Sequence, residues 1–361
     1  MCALDNRSSP GRVRRARSAP RQRGISIIEL MVGIVVAMLV GAAATSSAVV
    51  FTASQRQGIG VGGVAVNIGT ALAALKNDAA TSGLGFFGDS RFICSTLNLG
   101  IGATATWNGA PFVPVRISAD AGEDVIDVVQ STRVESGANV LLQTESTGAT
   151  AVLKSYLPVS NGDAVLLAPN AVGSPCTVRT VTGVVSPTGP DTWQTLSFDS
   201  SGTHNTATFS TAPTYPEMSG VTLLGQLRWN RYRLSAGNLV LEHPLDGASA
   251  ILARNVVALR AQYGAAAAGT TSLASWEDPS GGFAALDASN IARVRAVRVG
   301  VVTRSPQREK PNAAGVCEAS SAKPRLFGVE ITPAETDWQC FRYRSAVVVI
   351  PLRNLVLGIK S

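Results

Sequence analysis

Residues 21–54 read RQRGISIIELMVGIVVAMLVGAAATSSAVVFTAS, and this stretch decides how the rest of the chain is organised. No charged residue occurs from Leu30 to Ala53. As an α-helix rising ~1.5 Å per residue, this run is about 36 Å long, enough to cross a bilayer core of ~30 Å. Glu29 lies at the start of the run, where a carboxylate is costly and usually functional. The stretch therefore predicts a membrane-spanning helix with an acid near its beginning.

Two ordinary targeting segments explain this stretch less well. A secretory signal peptide has an apolar region of ~7–15 residues followed by a small-x-small cleavage site, and the present run is far longer. A plain signal-anchor would not explain why an acid, Glu29, lies at the start of the apolar run. The position of this acid therefore needs a more specific explanation.

The nine residues GISIIELMV at positions 24–32 resemble the class III signal of type IV prepilins. Gly24 follows an arginine-rich segment, and Glu29 is the fifth residue counted from Ile25. Ile25 replaces the commoner phenylalanine of that signal. The resemblance implies cleavage after Gly24 by a prepilin peptidase and N-methylation of Ile25. It also implies that Glu29 acts in assembly, where it would pair with the free N-terminal amine of a neighbouring subunit.

A series of later stretches has a common pattern: GLGFFG at 83–88 with Cys94, EDVIDVV at 123–129, 232–239, ARNV at 253–256, QYG at 262–264, RAVRV at 295–299, Tyr343-Arg344 and PLRN at 351–354. Together these stretches resemble the PilW-type minor pilins. The resemblance implies a non-enzymatic minor pilin without a cofactor, which co-assembles with the major pilin and other minor pilins to prime or cap a type IV pilus. A large tip adhesin is a further candidate partner. Two alternatives stay open: a J-type pseudopilin of type II secretion, and a tip adhesin or lectin module.

The distribution of charge indicates membrane topology rather than nucleic-acid binding. The chain has a formal net charge of +7. Residues 1–24 hold seven arginines and Asp5, which gives this leader +6 and leaves +1 for the chain that begins at Ile25. Basic residues keep a segment in the cytoplasm. We therefore expect a cytoplasmic leader, a single pass through the bacterial inner membrane, and a C-terminal head in the periplasm and then on the pilus.

The cysteines fit a head outside the cytoplasm. Cys2 lies in the leader and would be lost on cleavage, which leaves Cys94, Cys176, Cys317 and Cys340. An even number of cysteines in an oxidising compartment predicts two disulfides. Four cysteines allow three pairings, and proximity in sequence favours Cys94–Cys176 with Cys317–Cys340. No metal site is expected, because the cysteines lack CxxC spacing and the chain has only two histidines.

The predicted fold is α+β, with a long N-terminal pilin-like helix packed on a β-rich head. Beyond Arg56, apolar residues recur at steps of three and four from Val61 to Ala79, which indicates an amphipathic continuation to about Ala80. Glycines 58, 60, 62 and 63 favour a kink or local melting there.

The expected divisions are a leader at 1–24, a transmembrane helix at 25–54, an amphipathic continuation at 55–82 and a head at 83–361. The face Val61–Leu75 is expected both to pack on the head and to contact other minor pilins.

After Gly83 the sequence changes to short β-like runs separated by Gly, Pro, Asn and Ser. The predicted strands are Val125–Val129, Val140–Gln143, Ala151–Tyr156, Ala164–Ala168, Thr177–Val185, Thr195–Phe198, Val221–Leu234, Leu239–Glu242, Val294–Thr303, Phe327–Ile331 and Arg342–Leu352. Gly264–Gly269 and Ser305–Lys323 are predicted as loops.

Other motifs favour structural roles. The GxGxxG runs at 58–63 and 83–88 do not follow strands, so a dinucleotide site is not expected. His204 and His243 are predicted as loop residues, and no nucleophile–base–acid set can be built from them. The acidic run Asp120–Asp127 is interpreted as solvated charge at a strand edge. The five tryptophans are dispersed, which favours core packing over a glycan-binding platform.

Overall fold

The computed structural model describes residues 26–86, 94–120, 122–131, 138–170, 174–189, 192–211 and 214–358, with side chains at all of these except 49–50, 52–67, 288 and 356–358. The chain divides into two compact units after Gly58. Helix α1, Ile27–Thr81, contributes residues to both units. Its helical assignment continues through glycines 58, 60, 62 and 63, so local melting there is wrong, whereas the alternative, a kink, stays a prediction.

The first unit contains the apolar part of α1. Ile27–Ala48 has a mean hydropathy of 2.5 and none of it is buried, and it is the one candidate membrane span among the described residues. Large side chains such as Ile27, Met38 and Leu39 are exposed on this helix. A helix that is apolar on all sides is typical of a membrane span rather than of a surface helix.

The second unit contains the end of α1 and a head built mainly from strands. The strands are β1 Thr96–Ile101, β2 Thr104–Pro111, β3 Val115–Asp120, β4 Glu123–Ser131, β5 Asn139–Leu141, β6 Thr150–Leu153, β7 Ala164–Ala168, β8 Cys176–Thr180, β9 Gly183–Val185, β10 Gln194–Ser197, β11 Gly220–Gly225, β12 Leu227–Ser235, β13 Asn238–His243, β14 Ala248–Arg254, β15 Val256–Ala266, β16 Leu273–Glu277, β17 Val294–Arg304, β18 Arg325–Leu326, β19 Val329–Glu330 and β20 Tyr343–Pro351. Two short helices, α2 Ala288–Ile291 and α3 Arg353–Gly358, and two 3-10 turns, Gly281–Phe283 and Trp338–Cys340, complete it.

Within the described residues the strands form five sheets. Their orders are β2-β1-β8-β7-β11-β5, β6-β10-β9, β14-β13-β12-β4-β3, β16-β15-β17-β20 and β18-β19. Strands β1 and β8 pair in parallel, whereas the other paired strands are antiparallel. The predicted α+β class, a long helix with a β-rich head, is therefore confirmed.

The head has two main hydrophobic cores on opposite faces of the six-stranded sheet. In β7, Ala164 and Leu166 belong to the larger core, whereas Val165 and Leu167 belong to a second core that also contains Leu196 of β10. Because successive strand residues point to opposite faces, a strand covered on both sides has a continuous apolar sequence. The AVLLA sequence of β7 is of this kind, and all five of its residues are buried.

Several predicted elements differ from the observed ones. The predicted strand Thr177–Val185 is two strands, β8 and β9, and Val221–Leu234 is divided at Gly225, whose φ of 68° interrupts the extended backbone. The predicted loop Gly264–Gly269 is also wrong at its start, because β15 continues to Ala266. Six longer strands were not predicted, namely β1, β2, β3, β14, β15 and β16.

Candidate assembly site

The start of α1 is closed by a reciprocal pair of hydrogen bonds. The backbone N–H of Ser26 donates to Oε2 of Glu29 at 3.1 Å, and the backbone N–H of Ile28 donates to Oγ of Ser26 at 3.3 Å. Ser26 is thus the N-cap, and Glu29 occupies the third helical position of a capping box. Both side chains are exposed. The carboxylate is therefore held at the positive end of the helix dipole, where a negative charge is favourable.

This capping role of Glu29 was not predicted, although the signal was in the sequence. A serine followed three residues later by a glutamate before an apolar run is a helix-start pattern. The predicted processing residues, Gly24 and Ile25, lie outside the described residues. Cleavage, methylation and the assembly role of Glu29 therefore stay predictions.

The predicted apolar stripe of the helix continuation packs into the larger core of the head. Ile68, Leu72, Leu75 and Ala79 are all buried there. Their spacing places them on one face of the helix. This face is consequently not an open surface for other pilins, and the expectation that it contacts them is wrong for these residues. The side chains of Val61 and Val64 lie outside the described part.

A polar cluster fixes the end of α1 to the sheet that contains β4 and β12. Asp78 accepts hydrogen bonds from Gln130 at 3.3 Å, from Asn230 at 2.5 Å and from the hydroxyl of Tyr232. His243 Nδ1 is 2.8 Å from Oδ1 of Asn230. Burial, followed by the bond to Asp78, raises the pKa of Tyr232, so its hydroxyl keeps its proton and donates. His243 is the last residue of β13, not a loop residue as predicted.

The helix ends at Thr81 because the chain then reverses. Gly83 has a φ of 75°, the left-handed conformation that commonly follows a helix, and its N–H donates to the carbonyl of Val129 at 3.2 Å. The side-chain amide of Asn354 donates to the carbonyls of Thr81 at 3.3 Å and Ser82 at 2.9 Å. Carbonyls at the helix end thus find partners in the head.

Asp124 and Asp127 of the acidic run are buried, so the interpretation as solvated charge was wrong for these two, whereas Asp120 is exposed as expected. Asp127 is 1% exposed and accepts from Trp229 Nε1 at 2.7 Å and from Arg231 at 2.8 Å, and Arg116 lies 3.2 Å away. On the neighbouring sheet, the backbone N–H of Ala261 donates to Asp124 at 2.7 Å. Buried carboxylates are stable only when charges and donors surround them in this way.

Aromatic and histidine side chains in the head have structural roles. Trp107 and Trp229 are buried with ring centroids 4.6 Å apart, as core packing predicts. Trp193 is 42% exposed, so it does not follow that pattern. His204 is buried in a turn, with Nδ1 2.7 Å from the carbonyl of Gly100. Among the described residues, no cluster of three or more His, Cys, Asp or Glu side chains could hold a metal.

The structure contains the disulfides Cys94–Cys176 and Cys317–Cys340, with Cα atoms 5.5 and 4.8 Å apart. The first bond joins residues 82 positions apart, just before β1 and at the start of the adjacent parallel strand β8. The second closes a loop of 23 positions that precedes β20. These are the two pairings that proximity in sequence favours.

Two family models and one solved structure are similar to parts of this chain. Residues 19–45 match the family model described as prokaryotic N-terminal methylation motif, and residues 226–354 match the one described as type IV pilus-assembly protein W. A type IV-like pilin from Thermus thermophilus is similar at 11% identity and a TM-score of 0.34, over 81% of this chain and 96% of that one. The comparison with curated proteins finds no match.

The two family matches lie in different parts of the chain. The chain is similar to type IV pilins in having a methylation motif at the start of an apolar helix that is followed by a β-rich head. Within that class, the resemblance of the chain to PilW-type pilus-assembly proteins is confirmed by the match over residues 226–354. That match begins at the residue before β12 and extends into α3.

Proposed function

We propose that this protein is a minor pilin that co-assembles with other minor pilins to prime or cap a type IV pilus. The observation that carries the proposal is the match to the pilus-assembly model over residues 226–354 behind a methylation motif at 19–45. The protein acts structurally, without a catalytic site, cofactor, metal or nucleic-acid partner. Its partners are a prepilin peptidase, the major pilin and other minor pilins, with a large tip adhesin as a further candidate.

Processing precedes assembly in this proposal. The peptidase cleaves after Gly24, Ile25 becomes the methylated N-terminus, and the leader at 1–24 stays in the cytoplasm because of its arginines. Residues 25–54 cross the inner membrane once, and 55–82 continue the helix into a periplasmic head at 83–361. The two disulfides support this topology, because disulfides persist in the periplasm and are rare in the cytosol.

Glu29 recruits the processed subunit. Its carboxylate is exposed at the first turn of α1 and lies 3.1 Å from the N–H of Ser26, the residue after the new N-terminus. The amine of Ile25 on a neighbouring subunit is a cation of matching size. Their pairing neutralises two charges in lipid, where either alone would be strongly unfavourable.

The size of the head favours a position at the fibre tip. A head of nearly 280 residues is bulky for a tightly packed helical lattice. At a tip, one side has no neighbour above it, so a large head is accommodated there. Low copy number and a role in initiation follow from this position.

Deletion of the gene tests the proposal against its alternatives. We expect few or no surface pili and lost twitching motility, with the major pilin stable in the inner membrane and recovery on complementation. A strain that keeps its pili but no longer exports folded enzymes would identify a type II secretion pseudopilin. A strain that loses only surface attachment would identify the head as an adhesin.

A further inference from the structure

The edge strand β20 has the properties of an open pairing edge. It pairs with β17 over nine residues, from Tyr343 opposite Arg304 to Pro351 opposite Ala296, without a register shift. No backbone hydrogen bond joins residues 343–351 to any described residue outside β17. A row of backbone N–H and C=O groups along its outer side is therefore available to another strand.

Other edge strands of the three larger sheets have features that hinder such pairing. Register shifts interrupt the pairing of β2, β14 and β16. Such bulges bend an edge strand away from a flat partner strand. Strand β5 has only three residues, and β3 carries Arg116 and Asp120. Short, bulged or charged edges are the usual protection against pairing with another chain. In β20 the run Ser345–Ile350, SAVVVI, has no charge, no proline and no bulge.

Both faces of β20 would gain burial from an added strand. Val347 and Val349 are 52% and 49% exposed on one face. On the other face, Ala346 and Val348 are only partly buried against the larger core of the head. An adjacent strand lies ~4.8 Å away and covers the neighbouring side chains on each face. Four apolar side chains in succession would thus be shielded from water.

The residues at the two ends of β20 indicate the charge that a strand added beside it would need. Arg344 at its beginning and Arg353 just after its end are exposed, and neither forms an ion pair with another described residue. An acid on a paired strand, placed opposite or diagonal to Arg344, would form a favourable cross-strand pair. A second copy of β20 would instead bring only more arginines to these ends.

We propose that β20 is the docking edge for an extended, acid-flanked apolar strand of a different subunit of the fibre, which adds to the sheet β16-β15-β17-β20. The identity of the occupant as a fibre subunit rests on the proposed function. Main-chain hydrogen bonds along residues 345–350 supply affinity, and the valines with Arg344 supply selectivity.

Photocrosslinking in the assembling strain tests this edge. The amino acid p-benzoylphenylalanine is placed at position 347 of the full chain and, as the matched control, at position 251. Ile251 is 49% exposed and lies on another edge strand, β14. We expect an adduct with a different pilin at position 347 and less than a tenth of that yield at position 251. Mass spectrometry should place the crosslink in an extended, acid-flanked apolar segment.

Three outcomes would overturn the proposal: equal yields at the two positions, an adduct of two copies of this chain, or a crosslink to a helical segment. Position 349 repeats the test if the first variant does not reach the membrane. The charge is tested with Arg344→Glu, which should lower the adduct yield about fivefold, whereas Arg344→Lys should keep it. Unchanged yield with Arg344→Glu would also contradict the proposal.

The deletion strain separates this inference from the proposed function. If deletion abolishes pili but Val347→Lys assembles them as the wild type does, the docking edge is wrong and the pilin function stands. If deletion leaves pili intact, the proposed function itself fails. The variant Ile251→Lys controls for the added charge and should assemble normally.

Discussion

Two parts of helix α1 have the same backbone structure but differ in which faces of the helix are apolar. Ile27–Ala48 is apolar on all sides and exposed, with a mean hydropathy of 2.5. Ile68–Thr81 has one buried face, whereas Lys76 and Asn77 are exposed on the other. An α-helix satisfies its own backbone hydrogen bonds in lipid and in water alike. The change from membrane to head therefore needs no change of secondary structure.

The acids of these two parts are treated differently as well. Glu29 is exposed at a helix start, with its carboxylate near one N–H of the first turn. Asp78 is enclosed by donors from two strands of the head. The first acid keeps room for an external cation, whereas the second already has its partners. This contrast is consistent with the recruiting role proposed for Glu29 and with an anchoring role for Asp78.

The largest expected effect comes from placing a carboxylate in each part of the helix. Leu75→Asp buries an unpaired charge in the core and should lower the free energy of unfolding of the head by about 5 kcal/mol. Val36→Asp should leave the unfolding of the head unchanged but weaken membrane insertion by about 3 kcal/mol. Denaturant unfolding of the full chain in detergent micelles and carbonate extraction of membranes measure the two effects.

Leu39→Ala and Leu75→Ala provide the size-matched control for that experiment. Only the buried leucine should cost stability, by about 2–5 kcal/mol. If Leu39→Ala and Leu75→Ala destabilised the head equally, the assignment of Leu39 to lipid and of Leu75 to the core of the head would be contradicted.

The anchoring acid gives the second largest effect. Asp78→Ala removes the acceptor for Gln130, Asn230 and Tyr232 and should cost about 3 kcal/mol of head stability. Asn77→Ala changes an exposed neighbour on the same turn and should stay within about 0.5 kcal/mol. Chemical denaturation followed by tryptophan fluorescence measures both. If the two variants unfold alike, the cluster does not anchor the helix.

The sequence was sufficient to predict the long helix and the strands whose residues are continuously apolar. Twenty-four uncharged residues and a step-three, step-four stripe each indicate a helix, and the strand at Ala164–Ala168 has the predicted bounds. Six of the longer strands were missed because polar and glycine residues interrupt their alternation, as in TATWNGAP of β2. The pairing of such strands depends on distant partners, which a local pattern does not contain.

The polar interior could not be predicted for the same reason. Asp124 and Asp127 look like surface charge, because three residues along a strand place them on opposite faces. Both acids nevertheless have partners: Asp127 accepts from Trp229 and Arg231 of β12, the adjacent strand of the same sheet, and Asp124 accepts from Ala261 of β15 in another sheet. Only the long-range packing of β4, β12 and β15 reveals these partners.

A smaller effect is expected at Glu29, the acid that is proposed to recruit the subunit. Glu29→Gln keeps a side-chain oxygen that can accept from the N–H of Ser26 but removes the charge, whereas Ser26→Ala removes the N-cap oxygen at a cost of about 1 kcal/mol and keeps the charge. We expect Glu29→Gln to be processed normally and to enter fibres about tenfold less, whereas Ser26→Ala enters nearly as the wild type. Immunoblots of sheared pili against membrane fractions measure incorporation. Equal losses would mean that capping, not charge, explains the effect of Glu29.

The smallest effect is a pH dependence confined to the head. Burial is the main cause that lowers the pKa of His204 below its usual value, although its bond to Gly100 opposes the shift. In the window between this lowered pKa and the ordinary value near 6.5, the unfolded chain binds more protons than the folded one, so stability falls as the pH falls. His204→Gln should flatten that slope in denaturant midpoints measured from pH 7 to pH 5. An equal slope in His204→Gln would assign the pH dependence to another group.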